Sequence, residues 1–293
     1  MSAQAVPFSS TLADFASLTK PRLSSLVVCT AAGGMWLAPG SLPARQTLLV
    51  ILATAGIVGA ANAFNCYWER DSDRFMKRTR NRPLPAGRME PSTALWFGGA
   101  LLAVSLPALT LASNLLTGFL GLLAFVSYVF VYTPLKARSW TAMLVGGLPG
   151  ALPPLMGWTA ITGRITGAGV VLFAILFLWQ IPHFIAIALF RKEEYAAAGL
   201  KSLPLERGDE ISRAMIVRYL VFLVPVSILP FAMGLSGWIY LTAAVLLGAT
   251  FLGYGVYGFV KKLGQVWARK LFLISLLYLT GLFIALMVDV RVP

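Results

Sequence analysis

Apolar runs long enough to cross a bilayer recur along the chain at about residues 23–40, 47–66, 94–112, 115–133, 141–161, 168–190, 215–234, 236–257 and 270–288. Short polar or charged intervals separate them. Because hydrocarbon offers no partner for backbone N–H and C=O groups, runs of roughly 20 such residues read as helices rather than strands. The pattern therefore predicts an all-α integral membrane protein with nine transmembrane helices in one bundle. No polar linker divides residues 1–293, so a single transmembrane domain is expected.

Composition sharpens this reading. At 58% hydrophobic residues and a mean hydropathy of +0.79, a chain of 293 residues has too little polar surface for a soluble globule. A net charge of +13 could suggest nucleic acid, but the basic residues follow the topology instead. With the amino terminus in the cytoplasm, all 24 Lys and Arg except Arg45, Arg164 and Arg291 fall on the cytoplasmic side. The positive-inside rule then predicts an N-in/C-out, multi-pass protein of the cell (inner) membrane, with the lipid bilayer and no nucleic acid as partner. Of the 11 acidic residues, only Asp289 lies on the other side, so chemistry is expected at the cytoplasmic face. The cytoplasmic N-terminal segment 1–20 shows no charged region leading into a short apolar core and a cleavage site, and the first apolar helix is expected to direct insertion. Cys29 and Cys66 fall in apolar stretches, as small packing residues do.

Two long charged segments, at about 67–93 and 191–214, are the expected active-site loops, whereas opposite connections such as Asn114 and Ser236-Gly237 are near-minimal turns. Asn65, Glu69 and Asp73 stand at i, i+4 and i+8 where a helix meets the first loop. Such side chains drift by only about 80° and face one pocket. Oxygen donors so placed suit Mg²⁺ beside a substrate's phosphates, and the basic run Lys77-Arg78-Thr79-Arg80-Asn81-Arg82 follows at once. Glu193 and Glu194, with Lys201 beyond them, form a second acidic and basic cluster on the same face. It is either a second cation site or a helix end carrying paired charges for solubility. Tyr132 and Lys136 stand one turn apart at the cytoplasmic end of the fourth helix, as a diphosphate ligand with its neighbour or as an interfacial pair. His183, the sole histidine, lies within a span in Trp179-Gln180-Ile181-Pro182-His183-Phe184, as a packed core residue, a ligand or a proton carrier. The run Gly146-Gly147-Leu148-Pro149-Gly150 to Trp158 serves either close helix packing or an opening for a flat or long apolar substrate.

These residues resemble the UbiA-type intramembrane prenyltransferases over nearly the whole chain. The matching pieces are Leu18-Thr19-Lys20-Pro21-Arg22, the Asn65 to Gly87 block, the Tyr132/Lys136 pair, the Gly-Pro-rich fifth helix, Trp179 to Phe184, and Glu194-Tyr195 to Pro204. The fifth helix with Trp-Gln-Ile-Pro-His-Phe points to the heme-farnesylating branch. The resemblance implies a nine-helix bundle, an Mg²⁺-dependent prenyltransferase (a transferase of alkyl groups other than methyl), farnesyl diphosphate as donor and the vinyl group of heme b as acceptor. It implies Asn65, Glu69, Asp73, Tyr132 and Lys136 as catalytic residues, while Glu193 and Glu194 are expected as further metal ligands from their own acidic cluster. Arg22, Lys77, Arg78, Arg80, Arg82, Trp179, His183 and Lys201 would bind substrate. Glu69 stands where the family motif has Asp, and Glu194-Tyr195 with Leu200-Lys201-Ser202-Leu203-Pro204 departs from its second motif. A downstream heme A synthase is an implied partner.

Two other functions fit parts of the chain. The same transfer to an aromatic quinone precursor would use the same acidic arm. A transporter with charged cytoplasmic gates would need ionisable side chains along the mid-membrane helices, which hold almost none.

Overall fold

The computed structural model describes residues 11–291; residues 1–10 of the amino-terminal segment and the last two residues lie outside them. Thr11 and Asp14 form a capping box that starts α1 (Leu12–Leu18). Pro21, pre-set for a first helical turn, then opens α2 (Pro21–Leu37). Between them Lys20 takes a left-handed conformation (φ 49°, ψ 61°), so the chain turns sharply just before the bundle. The residue ahead of a proline is driven out of the right-handed helical region, and here the turn needs a strained residue.

Ala44–Asp73 forms α3, which runs seven residues past the end of the apolar run at residue 66. Glu69 to Asp73, expected in a loop, are helical, and the Thr79 hydroxyl donates to the terminal Asp73 carbonyl at 3.0 Å. The helices α4 (Pro91–Ala112) and α5 (Leu115–Val126) follow. Past α5 the helix widens into a π turn at Ser127–Tyr132 before the short α6 (Thr133–Leu135). Its cause is local: the Thr133 N–H and hydroxyl both donate to the Tyr128 carbonyl five residues back, and Pro134 has no N–H to donate.

The second half contains α7 (Ala142–Thr162) and α8 (Gly167–Phe190). The expected loop 191–214 is largely helical, comprising α9 (Lys192–Ala197), α10 (Leu203–Glu206) and the start of α11 (Gly208–Val226). The chain closes with α12 (Leu229–Ala232), α13 (Trp238–Val260) and α14 (Gln265–Val288). Among the described residues the only strand-like pairing is an isolated bridge, Ser236 to Val290. Seven segments are long and apolar enough to cross a membrane: α3, α4, α5 to α6, α8, α11 to α12, α13 and α14. The long helices outside that set are α2, at 17 residues, and α7, whose Pro149, Pro153 and Pro154 dilute its apolar character.

Two apolar cores hold the bundle. One gathers Leu172, Ile181, Ile185, Leu220, Phe251 and Tyr278 from α8, α11, α13 and α14. The other gathers Val50, Ile57, Leu109, Phe125 and Leu152 from α3, α4, α5 and α7. A small third cluster, with Leu18, Cys66, Leu84 and Met89, seats α1 and the segment after α3. Cys66 is buried in it, while Cys29 is exposed. Crossing of α2 and α7 depends on absent side chains. A Cβ at Gly157 would lie 1.9 Å from the Ala31 carbonyl oxygen, and one at Gly34 would lie 2.1 Å from that of Pro154. The helix-breaking run of α7 is thus filled rather than open: Gly146 receives the Tyr132 ring and Gly150 the Gln180 amide.

Candidate active site

The last turns of α3 carry an arm of oxygen donors, and each donor meets a cation from a different part of the chain. Asn65, 1% exposed, accepts at Oδ1 from Lys20 Nζ and donates from Nδ2 to Thr133 Oγ1 at 3.2 Å. Glu69 Oε1 accepts from Lys136 Nζ at 2.6 Å. Asp73, 3% exposed, accepts at Oδ2 from Arg82 Nη1 at 2.7 Å. The i, i+4, i+8 spacing brings the three donors to one face, as the sequence predicts. Lys136 also lies over the Tyr132 ring, 5.5 Å from its centre, and Tyr132 packs against Tyr128.

Burial and charge oppose each other here. Burial works against charging Lys136, but the Glu69 carboxylate outweighs it and holds the amine well above the ordinary lysine value. Lys20 has only the neutral Asn65 amide as its direct partner, and burial pulls its amine below the ordinary value.

Predicted basic residues divide sharply. Of the tail, Arg82 reaches the arm, while Lys77, Arg78 and Arg80 are exposed. Arg88 instead ties the tail to α1, donating to Asp14 at 2.9 and 3.1 Å. Arg22 is exposed on the first turn of α2, and the cation that reaches the arm from this segment is Lys20. The sequence points to Arg22 rather than Lys20; the one local signal for Lys20 is the proline after it, which drives a residue out of the right-handed helical region.

The second cluster is distributed differently. Glu194 pairs with Arg191 on its own turn at 3.0 Å, Glu193 is exposed, and Lys192 pairs with Asp209 at 2.7 Å. Lys201 is exposed, but its backbone N–H donates to the Lys136 carbonyl at 2.9 Å, seating this segment over the α5 to α6 end. Among the described residues no three His, Cys, Asp or Glu side chains converge on one point. The arm itself fits Mg²⁺ by its chemistry, since Asn65, Glu69 and Asp73 are all hard oxygen donors and the neighbouring Cys66 sulfur faces the Leu18 carbonyl.

His183 and Trp179 belong to another face, between α8 and α14. Their rings stack with centres 4.6 Å apart, and Trp179 Nε1 donates to the Ser275 carbonyl at 2.7 Å. His183 Nδ1 lies 2.7 Å from Ser275 Oγ, whose own proton goes to the Phe272 carbonyl. The histidine must therefore donate from Nδ1, which leaves its Nε2 lone pair free to accept a proton or a metal.

Comparison with known proteins gives the family and the fold. Residues 26–277 match the UbiA prenyltransferase family. The chain is 66% identical over 293 residues to the protoheme IX farnesyltransferase of Myxococcus xanthus, covering 100% of this chain and 99% of that protein. It is 50% identical over 278 residues to that of Sorangium cellulosum, covering 90% and 99%. A solved chain from a study of digeranylgeranylglyceryl phosphate synthase shares the fold with a TM-score of 0.82 at 19% identity, over 95% of this chain and 98% of that one. A UbiA homolog from Archaeoglobus fulgidus bound to DMAPP and Mg²⁺ follows at 0.68 and 18%, over 93% and 99%. With a membrane bundle, an oxygen-donor arm ringed by cations and a family match across most of its length, the chain belongs to the UbiA prenyltransferase family.

Proposed function

We propose that this protein is a protoheme IX farnesyltransferase, making heme O from heme b and farnesyl diphosphate in the route to terminal-oxidase hemes. One observation carries the transfer chemistry: three oxygen donors from α3 stand against Lys20, Lys136 and Arg82, which come from three separate segments. A diphosphate bound there would draw on those cations, and the 66% identity to the Myxococcus enzyme narrows the acceptor to heme. Asn65, Glu69 and Asp73 are the residues that would hold Mg²⁺, which when bound adds positive charge against the diphosphate. Glu193 and Glu194 would serve a second ion only after leaving their present surroundings.

In the reaction the C–O bond of farnesyl diphosphate breaks and its electron pair leaves with the diphosphate. Lys20, Lys136 and Arg82 stabilise that developing charge, while Tyr132 closes the site beside Lys136. The allylic cation is attacked by the π electrons of the heme vinyl group. Water adds to the resulting cation and loses a proton, giving the hydroxyethylfarnesyl side chain. The apolar walls of the bundle keep other water from the first cation. Trp179 and His183 are assigned to the heme side, with Nε2 of His183 available to the porphyrin iron or to a proton. Lys77, Arg78, Arg80, Arg22 and Lys201 form an outer basic rim that attracts the diphosphate.

The topology belongs to the same proposal. Nine spans, with α2 and α7 added to the seven apolar segments, put the arm at the cytoplasmic face of the inner membrane in an N-in/C-out orientation. Support comes from the basic residues, all but Arg45, Arg164 and Arg291 of which then lie on that side. The product would pass to a heme A synthase.

The test is incubation of purified protein in detergent with heme b, farnesyl diphosphate and Mg²⁺, with and without EDTA, followed by mass spectrometry of the porphyrins. A metal-dependent hydroxyethylfarnesyl heme is expected. Unmodified heme, with diphosphate released only when a phenolic acceptor is added, would reassign the enzyme to quinone precursors.

A further inference from the structure

The end of the bundle remote from the α3 arm holds a cavity of 580 Å³ between the ends of α2 and α7, the start of α8 and the turn before α13. Its walls include Leu37, Trp158, Thr166, Met233, Leu235 and Arg291. Among the described residues only five buried side-chain N or O atoms lack a hydrogen-bond partner, and two of them belong to residues that line this cavity: Trp158 Nε1 and Thr166 Oγ1. Trp158 is 2% exposed. An indole N–H can only donate, so leaving it buried and unanswered is costly unless an acceptor arrives.

The other polar groups that line the cavity are donors or cations. Thr166 precedes the 24-residue α8 without capping it, so the free N–H groups of that helix start face the same region with their positive dipole end. Arg291 has no ion-pair partner among the described residues. Asp289, the nearby carboxylate, is engaged by the Tyr240 amide at 2.9 Å. Two donors in apolar walls, with the exposed Arg291 guanidinium at their edge, call for an acceptor-rich anionic head on an apolar body. Trp36 and Trp238, both more than half exposed, flank this end as interfacial aromatics do, which sets the cavity at headgroup depth.

We propose that this cavity binds an anionic phospholipid. Trp158 Nε1, the Thr166 hydroxyl and Arg291 receive the phosphate, and Leu37, Met233 and Leu235 receive the first part of the acyl chains. The site is independent of the prenyl-transfer reading, since no arm residue takes part.

Delipidated full-length protein would be titrated in neutral detergent with phosphatidylglycerol or with phosphatidylcholine of the same acyl chains, and bound lipid counted by native mass spectrometry. One phosphatidylglycerol is expected to be retained, and Arg291→Gln should weaken it about fivefold, the effect of one basic residue at a lipid surface. Trp158→Phe, which keeps the ring but not the donor, should weaken it as well, with the lipid-free melting temperature checking that each variant is folded. Equal retention of the two lipids would overturn the proposal, as would retention of phosphatidylglycerol by both variants at the original level. Displacement by millimolar inorganic phosphate would make this a free-phosphate site and overturn the lipid assignment.

Discussion

Asp73 and Glu69 are carboxylates at the edge of an apolar bundle, and each is matched by one buried or half-buried cation. Removing the charge but not the shape separates chemistry from folding. Asp73→Asn is expected to lower turnover by about 10²–10³-fold, the usual effect of losing one transition-state charge contact. Its Tm in detergent should stay close to that of the parent, because the amide still accepts from Arg82. Lys20→Met is expected to lower kcat/KM for farnesyl diphosphate by about tenfold, a loss of roughly 1.4 kcal/mol of transition-state stabilisation. Arg22→Met should change it far less. Parity between the two variants in steady-state kinetics would remove Lys20 from the site. That distinction was not legible in the chain, where both residues are basic neighbours of Pro21. Only the left-handed turn at Lys20 sends its amine to Asn65, 45 positions away.

Helices here are shaped by residues that hydropathy scores poorly. The π turn at Ser127–Tyr132 and the Thr133 hydroxyl link α5 to the arm, because Thr133 donates to Tyr128 and accepts from Asn65. Thr133→Val keeps the volume and deletes both bonds. Activity is expected to fall by about tenfold through misplacement of Asn65, and in an Asn65→Ala background Thr133→Val should add little to the larger loss already present. At the α2/α7 crossing the relevant property is the missing Cβ. Gly157→Ala must move backbone at Ala31, and overpacking of this kind costs about 1–3 kcal/mol, to be read as a lowered Tm in detergent. A glycine-rich, proline-rich run announced itself in the sequence, but whether it packed or opened depended on which side chains filled it. Tyr132, Phe177 and Gln180 fill it.

The whole molecule adds orientation and the tie between its parts. Single-cysteine variants in a background lacking Cys29 and Cys66 test the topology: Arg78→Cys should react with a membrane-impermeant maleimide only after cells are opened, and Arg164→Cys in intact spheroplasts. The reverse pattern would invert the bundle and put the arm on the outer face. Asp14 and Arg88 clamp α1 to the segment after α3. The Arg88 hydrogen bond lowers the Asp14 pKa below its ordinary 3.8, so the pair contributes stability that is present above that pH and is lost as pH falls through the folded value. Asp14→Asn is expected to flatten the acid limb of the Tm profile below about pH 4 and to leave neutral-pH turnover intact.

Hydropathy and helical spacing are properties of a segment. The chain alone therefore determined an all-helical membrane protein and one helix face carrying Asn65, Glu69 and Asp73. It also marked the Tyr132/Lys136 turn and the basic block after α3. What those groups touch is a property of packing between segments far apart. Lys136 meets Glu69 across 67 positions and His183 meets Ser275 across 92, and neither pairing leaves a trace in local pattern. The tertiary structure decided that Arg82 rather than Lys77, Arg78 or Arg80 serves Asp73, and that α3 stays helical to the end of its charged stretch. It also turned Trp179 and His183 toward α14. In each case a charge or donor entering an apolar bundle must find a partner, and only the folded bundle determines which one lies within reach.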